Sequence, residues 1–130
     1  MMANDSNQIM KTLKVGIATH DQFKMRTLMI AKGEYRPSEN EPQIWFSSLE
    51  SFAKVLSDKN RELLILIAQT EPNSLQELVE SSGRAKSNLS RTLSTLENYG
   101  LIYFEESLGR KKAPRVAFTD LHLDLSLRAS

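Results

Sequence analysis

Leu13, Val15 and Ile17 alternate with Lys14 and Gly16, the period-two signature of a short strand. Thr19 and Gln22 then stand at capping-box spacing, threonine at the N-cap and glutamine at N3, and predict a helix over 20–32. Its apolar residues, Phe23, Met25, Leu28, Met29, Ile30 and Ala31, spread around most of the circumference. A helix that is apolar nearly all round needs cover on more than one side, which points to a second subunit. Residues 33–43, "GEYRPSENEPQ", carry Gly33, Pro37 and Pro42 among polar groups and read as a linker.

From Ile44 onward the pattern becomes helical. Ser47 or Ser48 is placed to cap a short helix to Leu56, with Leu49, Phe52, Ala53 and Leu56 as one buried stripe. Ser57 is the next N-cap, before a helix over 58–70. Its unbroken apolar centre, "LLILIA", predicts a central core helix. Pro72 and Asn73 stop it. Ser74 and Glu77 form an S-x-x-E capping box for a helix through about Ser82, with Leu75, Leu78 and Val79 facing inward and Gly83 at the C′ position.

The stretch "AKSNLSRTLSTLENYGLI" predicts a further helix over 86–98, closed by Gly100. On a helical wheel Leu93 and Leu96 fall within about 40° of Leu89, a narrow apolar ridge. Ser87, Arg91, Ser94 and Asn98 lie opposite, flanked by Ser90 and Thr95. That outer face carries no acid. A merely solvated face usually mixes Glu with Lys, and serine, threonine and asparagine are modest helix formers, so propensity does not account for them. Short hydroxyls and amides let the helix backbone approach another surface closely. Arginine and lysine suit phosphate and guanine edges, and asparagine suits adenine. The helix N-terminus adds N–H groups and a positive dipole end. Beyond it come a strand from Leu101, the basic loop "SLGRKKAP" and a return strand from Arg115 to Thr119, a hairpin with a long tip. "LHLDLSL", Leu121 to Leu127, alternates without fault and predicts a last strand.

Charge sharpens this picture. The net charge is only +1, yet residues 84–115 hold seven bases and three acids, a local +4, against −2 for residues 1–83 and −1 for 116–130. A local basic zone in a near-neutral chain hints at a polyanion partner. A capped helix, a glycine turn and a second helix with a leucine ridge follow the helix-turn-helix plan, and the basic hairpin makes it a winged helix. Helix 86–98 would enter the major groove, and the wing, 107–115, would lie on the backbone or reach the minor groove.

These residues also carry a resemblance. "SLQELVESSGRAKSNLSRTLSTLENYGLI…GRKKAP" resembles the winged helix-turn-helix of MarR-like prokaryotic transcriptional regulators, over about residues 46–125. The likeness is best to short predicted DNA-binding proteins of bacteria and archaea with an N-terminal arm, some of them suspected antitoxins encoded beside toxin genes. It implies that Ser87, Asn88, Ser90, Arg91 and Ser94 are recognition-helix positions and that Arg110, Lys111 and Lys112 form the wing tip. Ala85 departs from the pattern, since many relatives have a capping acid or serine there; either Ser87 caps instead or the helix start frays when unbound. No residues mark a phenolic-ligand pocket.

The remaining chemistry is sparse. There is no cysteine, His20 and His122 lack ligand spacing, and no nucleophile motif or glycine-rich phosphate loop occurs, so neither an enzyme nor a cofactor is expected. Trp45 and Phe46 read as packing residues. No apolar run is long enough to span a membrane and the N-terminus lacks a signal-peptide plan, which fits a cytoplasmic protein. The expected fold is α+β, mainly α: residues 1–10 a disordered lead, 11–43 an arm and linker for dimerisation, and 44–130 a winged helix domain with a C-terminal strand. The expected function is sequence-specific binding of double-stranded DNA by a dimeric regulator through Arg84, Lys86, Ser87, Asn88, Ser90, Arg91, Ser94, Arg110, Lys111, Lys112 and Arg115. The alternative is an antitoxin-type interaction module that neutralises a toxin protein and autoregulates its operon.

Overall fold

A computed structural model describes residues 11–107 and 109–127, the side chains of Ser107 and of residues 110–112 excepted; the expected N-terminal lead, 1–10, lies outside the described residues. The elements run β1 (Thr12–Ile17), α1 (His20–Ala31), β2 (Ile44–Phe46), α2 (Leu49–Val55), α3 (Asp58–Thr70), α4 (Leu75–Ser82), α5 (Lys86–Asn98), β3 (Ile102–Ser107), β4 (Arg110–Val116) and β5 (Asp120–Asp124). The fold is mixed α/β, with a parallel three-stranded sheet and an antiparallel hairpin. No helix among the described residues is long and apolar enough to cross a membrane.

The chain divides into two compact units, one up to residue 53 together with residues from 119 onward, the other from 54 to 118. Residues 44–53 and β5, which the sequence pattern grouped with the winged helix, therefore fall with the N-terminal segment.

In the first unit β1 is the central strand, in the order β2-β1-β5, with both neighbours parallel to it. Parallel neighbours require a crossover, and β1, α1 and β2 form one. Residues 33–43 are thus the return limb of that crossover and not a free linker. Gln43 fixes its end: its N–H donates to the Lys14 carbonyl at 3.0 Å and its Oε1 accepts from the Lys14 N–H at 2.9 Å. The capping box at Thr19 and Gln22 forms as its spacing predicts. Leu13, Val15, Ile44 and Phe46 are buried, with Phe52 edge-on to Phe46 at 5.4 Å between centroids.

On the other face Trp45 lies tilted against Phe23 of α1, and the Arg26 guanidinium sits 5.1 Å from the indole centroid. Arg26 also pairs with Glu41 at 3.4 Å. The Tyr35 hydroxyl donates to the Glu41 carboxylate, which raises the Tyr35 pKa and lowers that of Glu41. α1 buries none of its residues, and Phe23, Met25 and Leu28 remain 40%, 58% and 45% exposed. Among the described residues of this unit, only Trp45 and its neighbours cover the helix, on one side.

Two sequence patterns overstate what forms here. β5 ends at Asp124 and not at Leu127, because its ladder partner runs out: Asp124 is in register with Gly16, and β1 stops one residue later. α2 is capped by Ser48, whose Oγ accepts from the Ser51 N–H at 3.0 Å. It is only seven residues long and buries none of the expected stripe; Leu49 is 47% exposed.

The second unit carries α3, α4, α5 and the β3–β4 hairpin. α3 buries Leu63, Leu64 and Ile67 but leaves Ile65 45% exposed, so it is a one-sided helix and not a core rod. Leu78 of α4, Leu89, Leu93 and Leu96 of α5, and Leu101, Ile102 and Ala113 of the hairpin complete this core. Each fully buried leucine contributes roughly 2 kcal/mol relative to exposure. β4 begins at Arg110, five residues earlier than the expected return strand, and ends at Val116. The basic segment is therefore ladder and not a long loop. Ser107 pairs with Arg110, Glu106 with Lys111 and Glu105 with Ala113, which leaves Lys112 as the bulged residue.

Gly16 ties β1 to the crossover. A Cβ there would meet Trp45 Cζ3 at 2.6 Å and the Pro42 Cγ at 2.8 Å. Gly16→Ala is expected to destabilise by about 1–3 kcal/mol through overpacking. Urea unfolding followed by the emission of Trp45, the sole tryptophan, measures it; an unchanged midpoint would mean that the ring and proline yield freely.

Candidate nucleic-acid interface

Two helices and a tight turn set the candidate site. α4 starts at Ser74, whose Oγ accepts from the Glu77 N–H at 3.1 Å. Only this half of the predicted capping box forms, because the Glu77 carboxylate accepts from Asn73 N–H at 3.1 Å. Gly83 closes α4 in the left-handed conformation (φ 73°), its N–H donating to the Val79 carbonyl at 3.0 Å. Arg84 and Ala85 complete the turn. Ala85 is extended (φ −65°, ψ 144°) and occupies the N-cap of α5 without a side-chain hydrogen bond. The substitute cap expected from Ser87 does not form. α1, α3 and α4 are each capped by a hydroxyl, so only α5 of these four opens its first turn to a ligand's acceptors.

The ridge behind α5 is complete. Leu89 and Leu96 are 0% exposed and Leu93 3%. Ser87, Arg91 and Ser94 across the helix, and Lys86, Asn88 and Ser90 on its flanks, are all exposed. Among the described residues no hydrogen bond or ion pair engages any of these six side chains. Thr95, on the same face, does spend its hydroxyl, donating to the Arg91 carbonyl at 3.2 Å. The six carry two cations and no acid; Glu97 is exposed near the C-terminal end of the helix, towards its side.

The structure separates the remaining predicted residues. Arg84 does not join this surface. Its Nη2 donates to the Lys59 carbonyl at 2.7 Å and its Nη1 to Asn60 Oδ1 at 3.4 Å. Asn60 in turn caps backwards, its Nδ2 donating to the Val55 carbonyl at 3.0 Å. Arg84 thus ties the lead into α5 to the first turn of α3. Arg115 is also committed internally: its side chain is 13% exposed and its Nη1 donates to the Pro72 and Pro114 carbonyls, both at 2.8 Å. Both guanidinium groups are thus hydrogen-bonded within the second unit. Arg110, Lys111 and Lys112 have their backbone in β4, and their side chains lie outside the described residues.

Sequence reasoning missed Tyr103, which is 47% exposed on β3 opposite Arg115. Strand alternation marked its side, but not that this side is open. It also missed Asn60, whose pairing with Arg84 spans 24 residues and leaves no local trace. Among the described residues no group of three or more His, Cys, Asp or Glu is placed to hold a metal.

A protein-family model described as HVO_A0114 matches residues 55–123, from the end of α2 into β5. No curated protein and no solved structure matches the chain.

Arg84→Ala removes two hydrogen bonds and leaves the Asn60 oxygen without its partner. An expected loss of about 1 kcal/mol follows, since much of the site is open to water. Chemical denaturation of the two proteins checks it, and equal midpoints would remove the tie from the account.

Proposed function

We propose, for a chain that belongs to the HVO_A0114 family, that residues 54–118 are a winged helix-turn-helix module of a MarR-like kind that binds double-stranded DNA sequence-specifically as part of a dimeric prokaryotic regulator. α5 enters the major groove and the β3–β4 hairpin lies along the backbone or reaches the neighbouring minor groove. One observation carries the reading: the exposed side chains at 86, 87, 88, 90, 91 and 94 are uncommitted, while the opposite side of the same helix is sealed by three leucines. The element order helix, helix, turn, helix, hairpin supports it, as does the local excess of bases.

Roles follow from geometry and chemistry. Lys86, at the first position of α5, stands beside the uncapped N-terminus and suits phosphate. Asn88 and Arg91 carry planar hydrogen-bonding groups that suit adenine and guanine edges. Ser87, Ser90 and Ser94 are short enough to let the helix seat deeply. Arg110, Lys111 and Lys112 supply the wing's charge. Arg84 and Arg115 are left out of the contact set because their guanidinium groups are already bonded.

Affinity for promoter DNA should fall with salt, each phosphate contact adding about −0.9 to the log–log slope. Arg91→Ala is expected to cost roughly 1–3 kcal/mol on the preferred sequence and to relax discrimination there. Lys111→Ala should weaken all sequences about equally and lower the slope by about one contact. Binding titrations at several salt concentrations measure both, and the proposal fails if neither substitution changes DNA affinity.

The dimer rests on α1. Its exposed Phe23, Met25 and Leu28 need a cover, and a two-fold pair of modules would match palindromic half-sites. The same exposed face supports the second reading, an antitoxin whose first unit binds a toxin protein. Met25→Glu should convert the dimer to monomer by light scattering; a dimer that survives it would leave the α1 face to a toxin.

A further inference from the structure

The Arg115 side chain is three-pronged in its bonding and nearly closed off from solvent. Its Nη1 donates to the Pro72 carbonyl and to the carbonyl of the buried Pro114, and its Nε lies 3.8 Å from Glu105 Oε1. Pro72 belongs to the connection between α3 and α4, 43 residues away in sequence. Just before it stands Glu71, whose backbone is left-handed (φ 43°), the sole non-glycine residue with positive φ among the described residues. Such a conformation costs about 1–2 kcal/mol and persists only where its surroundings hold it. The bond from Arg115 therefore joins β4 to a point of fixed, strained backbone at the entry to the two-helix motif.

We infer that Arg115 is a positioning residue that aims the basic end of the hairpin, resting on the DNA-binding reading above. Lys111 stands four residues along β4 from Arg115, about 13 Å at strand rise. A tilt of about 10° at the clamp would move the tip by roughly 2 Å, far outside the tolerance of a hydrogen bond to phosphate. Ile102, Ala113 and Pro114 pack the inner face of the hairpin into the core, and the Arg115 side chain adds the polar tie from β4 to the α3–α4 connection, with Glu105 ion-paired to it across the ladder. A guanidinium can bridge two carbonyls and a carboxylate because its donors fan out in a plane. A lysine ammonium carries its three donors on one nitrogen, so it cannot occupy the Nη1 position between the two carbonyls and the Nε position facing Glu105 together.

The test is a double-mutant cycle read on duplex DNA, with amide exchange measured on the free protein. Arg115→Ala is expected to lower affinity on the order of tenfold, since tip contacts are displaced together. It should have no further effect once Arg110, Lys111 and Lys112 are all changed to alanine. Arg115→Lys should fail to restore affinity. Without DNA, Arg115→Ala should speed exchange of the hairpin amides of Tyr103 and Glu105 while that of Ile67 in α3 stays unchanged. Equal losses with and without the tip bases, or rescue by lysine, would make Arg115 a direct phosphate contact and overturn the inference. So would uniform acceleration of exchange across the second unit, the mark of a general loss of stability. If the wild-type protein binds no duplex, the DNA reading fails on that result alone, and the exchange pattern still decides whether Arg115 clamps the hairpin.

Discussion

The burial of Leu89, Leu93 and Leu96 governs what the second unit can do. Seven of the thirteen residues of α5 are Ser, Thr or Asn, each about 0.5 kcal/mol worse than alanine in a helix. Together they cost on the order of 3 kcal/mol, and no side chain caps the N-terminus. Three fully buried leucines contribute roughly 6 kcal/mol in the other direction. The ridge therefore both creates the helix and fixes its rotation. With one side sealed, the residues opposite have only one direction in which to point. A helix with better formers outside would be more stable, but it would offer longer and more charged side chains to an approaching surface.

The cations divide along the same line. Four bases of the described second unit stand near α5 in sequence or on the hairpin's base. Arg84 and Arg115 are consumed in bonds to backbone carbonyls, while Lys86 and Arg91 have no partner among the described residues. A guanidinium bonded to buried carbonyls is held by geometry that a phosphate would have to break. Counting bases in a window overstates the charge available for binding. What remains on α5 is smaller and better defined, and it lies beside the uncapped first turn, where dipole and side-chain charge act in the same direction.

Local patterns were legible in the sequence, and partnerships were not. Thr19, Ser57 and Ser74 marked helix starts that the structure has, because a cap is an interaction across three residues. The leucine period placed Leu89, Leu93 and Leu96 inside, because helix geometry alone decides which residues share a side. By contrast, the alternation of Leu121 to Leu127 showed a strand but not its end, which depends on where β1 stops. The prolines of 33–43 suggested a linker, yet that segment is the limb of a crossover fixed by Gln43 and Lys14, 29 residues apart. "GRKKAP" was read as loop on composition, where pairing to β3 made it ladder. For the candidate site, the six α5 residues could be named from periodicity, while the diversion of Arg84 and Arg115 needed contacts 24 to 43 residues distant.

The first unit poses a constraint of another kind. A sheet of three parallel strands has two edges, and β5 leaves one of them with Leu123 38% exposed. Asp120 and Asp124 stand at the two ends of that strand with His122 midway. An antiparallel copy centred on His122 would set each aspartate opposite the other's equivalent, like charge against like, which disfavours self-pairing through this edge. α1 leaves Phe23, Met25 and Leu28 partly exposed around its circumference, with Lys24 and Arg26 between them in sequence. Under the dimer proposed above, copies would avoid this strand edge, which preserves the register of β5 on β1 that a competing strand would disturb.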